Sequence, residues 1–288
     1  MIRVLFSTLL LTFTIMAHPL VKIDLSKNEV KQGEAVWVKI NTSKKLKSGY
    51  IKLEKYRFKL FNKNNSKKNF LSAIGASRYA KPKQTRIYFS FTFEDNSKYE
   101  TSLPFKILDA NFAKENIKLP PKKQKIKKDK KSRTNENVII GKKFKTISNK
   151  KKYEGPFLWP VKGRFTSEFG TQRVYNNTPG WKHSGIDISA VTGTPIKASQ
   201  SGVIILAKKL KVHGNTVMID HGLGIISIYN HLDNISVKVN DNIKKGNIIG
   251  TVGSTGIATG SHLHFGISVQ SIRINPRTWL ESTSKISM

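Results

Sequence analysis

The sequence predicts an all-β protein of two domains joined by a basic linker. Three observations carry that prediction. Over residues 18–110, short runs alternate apolar with polar or charged side chains, as half-buried strands do. Over residues 111–155, lysine dominates and little apolar surface is available to bury. Over residues 156–288, glycine, asparagine and β-branched residues break the chain into short apolar runs with no long helical period.

The chain opens with "MIRVLFSTLLLTFTIMAHP". Arg3 gives a positive start, Val4 to Met16 is apolar, and Ala17 is a plausible cleavage residue, although Ile15 is an imperfect partner for it. A membrane span needs about 20 residues, so the stretch is short for one. Residues 1–17 read as an export signal, with an uncleaved anchor or a core segment as the alternatives. The β-rich region follows, with "AVWVKI", "YIKLEKYRFKLF" and "TRIYFSFTFED" as strands of a β-sandwich. It holds no catalytic constellation and reads as a structural or positioning module.

The linker contains "PPKKQKIKKDKKSR", in which Pro121 to Arg133 carries eight Lys or Arg and one acid, Asp129. Like charges repel, so an extended, solvated spacer is expected, one that could also adhere to an anionic envelope polymer. The whole chain has 51 Lys+Arg against 18 Asp+Glu, a formal charge of +33. That excess points to a polyanionic partner and says nothing about fold. Export removes most of the case for nucleic acid and leaves anionic lipid or a cell-wall polymer. With no cysteine, disulfides, thiolate nucleophiles and cysteine zinc ligands are excluded.

The chemistry concentrates in the third region. If "HLHFGI" is a strand, His262, His264 and Gly266 share one face, and Leu263, Phe265 and Ile267 share the apolar other. A core would not bury two imidazoles without partners. "GWKHSGIDIS" puts His183 four residues before Asp187, and "IYNHLDN" ends an apolar run with His231. Four of the seven histidines thus fall in three short, turn-flanked segments. Histidine and aspartate both ligate zinc, and a catalytic zinc site keeps three protein ligands and one open position. The surplus histidines would be acid–base groups. Glutamate is an unpromising base, since the region has only Glu168 and Glu281, away from these segments, and no H-E-x-x-H.

Taken in order, "HSGID", "GNTVMIDHGLG", "YNHL", "GSTG" and "GSHLHF" resemble the LytM/lysostaphin-type zinc endopeptidases, the M23 peptidase family. "SEFGTQR" before them and "INPRTWL" after them look similar too. The resemblance covers roughly residues 156–278. It implies Zn2+ held by His183, Asp187 and His264, and His231 and His262 acting on the water and the tetrahedral intermediate. It further implies peptidoglycan as substrate, hydrolysis of stem-peptide or cross-link peptide bonds, and a place in the periplasm or cell envelope. A monomer is expected. The alternative is a non-catalytic wall-binding regulator of another hydrolase.

Two departures stand out. Gly266 follows "HLHF" where many relatives carry glutamate, so a carboxylate orienting a ligand is missing or the substrate has gained room. His213 stands where a tyrosine is common, and it reads as a surface residue. His221 reads as a structural hydrogen-bonder. The N-terminal module, with "FLSAIGASRYAKPKQTRIYFSF", is similar to the immunoglobulin-like domains that precede some M23 catalytic domains.

Overall fold

The computed structural model describes residues 13–18, 20–63 and 65–284. Most of the expected export signal, residues 1–12, lies outside the described residues. The chain divides into two compact units. The first comprises the chain up to Val30, Val36–Ala73 and Gln84–Lys106; the second comprises Lys31–Ala35, Ile74–Lys83 and Ile107–Met288.

Ten strands come first: β1 Phe13–His18, β2 Val21–Leu25, β3 Glu29–Lys31, β4 Ala35–Thr42, β5 Leu46–Leu53, β6 Tyr56–Lys59, β7 Phe61–Asn62, β8 Asn69–Gly75, β9 Lys83–Phe93 and β10 Lys98–Leu108. They form two five-stranded sheets, ordered β1-β2-β4-β8-β7 and β3-β10-β9-β5-β6. The period-2 pattern explains the burial. Ile87, Phe89, Phe91 and Phe93 of β9 are buried, and the residues between them are not. Leu103, Phe105 and Ile107 of β10 repeat the pattern.

The basic segment departs from an extended spacer. It forms β11 Lys114–Ile117, α1 Pro121–Lys128 and α2 Lys130–Phe144. Lysine is a good helix former, and the chain supplies ends: Pro121 begins α1, and Asp129 caps α2 by accepting from Ser132 N. Two apolar residues at helical spacing, Ile140 and Phe144, pack into a core cluster with Leu206, Met218, Ile226 and Ile228. Burial of that face offsets the repulsion along the rest of the helix.

Twelve further strands and one helix follow: β12 Arg164–Ser167, β13 Gln172–Tyr175, β14 Thr178–Lys182, β15 Ile186–Ser189, β16 Pro195–Lys197, β17 Gly202–Leu210, β18 Gly214–Gly222, β19 Ile225–Ile235, β20 Asn242–Ile243, β21 Ile248–Val252, β22 His262–Val269, β23 Ile272–Ile274 and α3 Pro276–Ser284. The backbone of the large sheet runs β12-β15-β22-β19-β18-β17-β20. The neighbours that matter most, β15-β22-β19, pair antiparallel. Below them Leu263, Phe265, Ile267 and Ile186 are fully buried. No helix among the described residues is long and apolar enough to cross a membrane.

Candidate functional site

The site is built by register. Asp187 on β15 pairs directly with His264 on β22, and His264 pairs with Asn230 on β19, next to His231. Strand alternation puts His262 on the same face, two residues away. His183 comes from the turn before β15, which is tied down by His183 N to Thr171 O (2.8 Å) and Gly170 N to His183 O (2.9 Å).

Three ligand atoms converge. His183 Nε2 lies 2.9 Å from His264 Nδ1 and 3.1 Å from Asp187 Oδ1, and His264 Nδ1 lies 2.9 Å from the same Oδ1. Among the described residues this is the group of histidine and acidic side chains whose atoms gather closely enough for one ion, all within 4.8 Å. All three residues are buried. Tetrahedral zinc with bonds of about 2.0–2.1 Å sets its ligand atoms roughly 3.3 Å apart, so the triangle has nearly the right edge. The donors fit a borderline-soft cation that takes nitrogen and oxygen.

The surrounding groups set protonation. His183 Nδ1 donates to Glu168 O (3.0 Å), which leaves Nε2 with its lone pair toward the triad. Burial pushes His264 down to about 4 even though Asp187 pulls the other way, so its imidazole is neutral at pH 7. Burial also opposes ionisation of Asp187, but the neighbouring His183 and Arg173 outweigh it and hold the carboxyl well below the usual range. Arg173 Nη2 bonds Asp187 Oδ2, which leaves Oδ1 to the triad.

The other two histidines face each other, with ring centroids 4.9 Å apart. His231 Nδ1 donates to Thr255 O (2.8 Å) and His262 Nδ1 donates to Gly260 O (2.9 Å). A carbonyl only accepts, so each ring carries its proton on Nδ1 and, when neutral, presents a basic Nε2. Burial, reinforced by His262 and His264, pushes His231 well below its usual range. His262 Nε2 comes within 3.9 Å of Asp187 Oδ1. His231 adopts a left-handed backbone, φ 65°, where β19 carries one residue more than β18 between the pairs Val217–Tyr229 and Asn215–Leu232. Its N–H donates to His213 O (3.1 Å).

Glycine explains the close approach of β15 and β22. A Cβ on Gly185 would lie 2.3 Å from Phe265 O and 2.8 Å from His264 Nε2. Gly266 gives room to the core rather than to a substrate, because a Cβ there would meet Ile228 Cγ2 at 2.8 Å.

The structure adds residues that spacing did not reveal. Arg173 lies in "SEFGTQR", but its bond to Asp187 depends on the fold. Glutamate does reach the site, from the basic segment: β11 runs parallel to β13, pairing Glu115 with Arg173, and Glu115 Oε2 accepts from Ser167 Oγ (2.8 Å). His213 is half-buried instead of a free surface residue. Its Nδ1 donates to Glu136 of α2 (2.8 Å), and Glu136 also accepts from the backbone of Lys211, Val212 and His213 (2.6, 2.9 and 3.1 Å). Lys123 of α1 donates to Ser254 O and Gly256 O (3.0 and 2.6 Å). Those two turns flank the carbonyls that hold His231. His221 is fully buried, with Nδ1 donating to Ser201 O (2.7 Å) and Nε2 beside Ser227 Oγ (2.8 Å).

Residues 181–276 match the family model described as Peptidase family M23. The chain thus carries a region of the peptidase family M23 type. It is 40% identical over 114 residues to the DD-carboxypeptidase/endopeptidase Mpg of Neisseria meningitidis, which is 39% of this chain and 26% of that protein. It is likewise 40% identical over 116 residues to the peptidoglycan DD-endopeptidase ShyC of Vibrio cholerae, 40% of this chain and 27% of that protein. The chain thus spans about a quarter of the length of these curated relatives. A crystal structure of a Pseudomonas aeruginosa protein named as a candidate M23 peptidase matches with a TM-score of 0.63 at 23% identity, over 86% of this chain and 93% of that one. That likeness shows the fold.

Proposed function

We propose that the protein is an exported zinc metallopeptidase that hydrolyses peptide bonds of peptidoglycan. The convergence of His183, Asp187 and His264 on one point, with two further imidazoles facing it, is the observation that carries this reading. The relatives' names, which include peptidoglycan DD-endopeptidase, support the substrate class.

His183 Nε2, Asp187 Oδ1 and His264 Nδ1 would hold the zinc, which when bound supplies Lewis-acid polarisation of a water molecule and of a peptide carbonyl. The rest is done by the chain. His231 and His262 each present Nε2 to the site with Nδ1–H committed to a carbonyl. One can take the proton of the attacking water, and its protonated form can pass that proton to the leaving amine. A histidinium there also stabilises the developing oxyanion. Burial keeps His231 neutral and ready to accept.

Export fits a substrate outside the cytoplasm. Cleavage after Ala17 would take away β1 except for His18. The basic side chains suit an anionic wall.

The test is a muropeptide profile of purified peptidoglycan after incubation with the protein, with and without a zinc chelator. Cross-linked species should disappear only with zinc, and the product masses identify the bond. Intact cleavage by a His183→Ala variant would sink the reading. An unchanged profile with wild-type protein would favour a recruiting role.

A further inference from the structure

Residues 115–119 line a pocket of about 290 Å³ together with Asp187 and His262. Strand β11 occupies the outer edge of β13, whose other edge is taken by β14. Main-chain bonds from Gln172 N to Ala113 O (2.8 Å) and from Asn176 N to Ile117 O (3.0 Å) bracket the pairing. An extended peptide thus already sits beside the triad, added as a strand.

Its one acidic side chain meets two donors. Ser167 Oγ donates to Glu115 Oε2 at 2.8 Å, whereas Arg173 Nε stands 3.6 Å from the same oxygen, beyond hydrogen-bond length. That Nε is buried and has no hydrogen-bond acceptor among the described residues. A buried guanidinium N–H without an acceptor is costly, and the position it faces favours an anion. Tethered to β11, Glu115 satisfies one donor and not the other. A carboxylate free of that tether could take both.

We propose that Ser167 and Arg173 form a subsite for a carboxylate of the substrate peptide, with the edge of β13 receiving the peptide backbone. Glu115 is its occupant in cis. This rests on the peptidase reading of the triad. Asp187 couples the two sites: Oδ1 belongs to the triad and Oδ2 to Arg173, so the recognised carboxylate lies within a residue or so of the scissile bond. The substrate class is an extended peptide bearing a free carboxylate at that position, either its C-terminus or an acidic side chain.

The experiment compares three probes on the full chain: fluorescein-labelled L-Ala-L-Lys-D-Ala-D-Ala as free acid, the same peptide as C-terminal amide, and that amide with Glu in place of Lys. Binding is read by fluorescence anisotropy on zinc-free protein, so the result does not depend on turnover. Glu115→Gln, at a partly exposed side chain, should bind one or both carboxylate probes about tenfold more tightly than wild type, with the neutral-ended Lys amide little changed. The probe that gains identifies terminal or side-chain recognition. Adding Ser167→Ala should remove the preference; if that double variant fails to fold, the single variant decides. Equal gains for all three probes would overturn the subsite, because Glu115 would then only be holding a plug in place. Absence of any gain would overturn it too. Cleavage of the same probes with zinc restored is scored separately: none at all would count against the peptidase reading and leave the binding result standing.

Discussion

Asp187 and His264 sit on strands bonded along both edges, so main-chain register sets where their side chains go. The helices over residues 121–144 are held differently, by an apolar pair and a few side-chain bonds to turns far away in sequence. The contrast separates two kinds of precision. A ladder fixes a ligand through many bonds, none decisive. A clasp such as Glu136 concentrates the job in one carboxylate, so one substitution can undo it.

The largest effect should come from attacking the ladder-held site directly. Asp187→Ala should reduce peptide cleavage at least ~1000-fold and abolish stoichiometric zinc, measured by elemental analysis of the purified variant. Full zinc occupancy in that variant would break the assignment. Next is Gly185→Ala, where the strands leave no room. A cost of about 4 kcal/mol is expected by chemical denaturation, since the nearest obstacle is backbone and cannot swing aside.

A third test uses pH. Burial pushes His221 down to about 4, below its unfolded value of about 6.5. The unfolded state therefore binds the proton first. The stabilisation is complete above pH 6.5 and is lost as pH falls toward 4, by up to about 3 kcal/mol. His221→Asn should flatten that slope. Breaking the clasp comes fourth: Glu136→Ala should cost about 2 kcal/mol, by leaving the half-buried N–H groups of the 211–213 turn without their acceptor, and should lower kcat more than KM because the turn it holds receives the His231 N–H. The smallest change is expected at the exposed Lys211–Asp129 pair, where Lys211→Ala should leave the denaturation midpoint unmoved.

Much of the site was legible because its information is local. Alternation alone puts His262 and His264 on one face, and the short spacing from His183 to Asp187 survives a turn. The family motifs joined those segments. Arg173, Glu115 and Glu136 were illegible because each acts across 14 to 77 residues, through strand pairing or helix docking that no local pattern encodes. The helices were missed for another reason. Counting lysines measures repulsion, while the outcome turned on Asp129 as a cap and on two apolar residues, Ile140 and Phe144, a turn apart. The alternating strands of the first unit were readable for the same reason as the histidine pair.

The left-handed backbone at His231 limits what can replace it. Most side chains resist that conformation, while asparagine and glycine accept it. An alanine at 231 would thus remove the imidazole and strain the bulge together, and a loss of activity could not be divided between them. Asparagine would keep the backbone and discard the base, which makes it the natural choice for a form that captures uncleaved peptide. The tolerated alphabet at this position is accordingly narrow for reasons of chain geometry as well as chemistry.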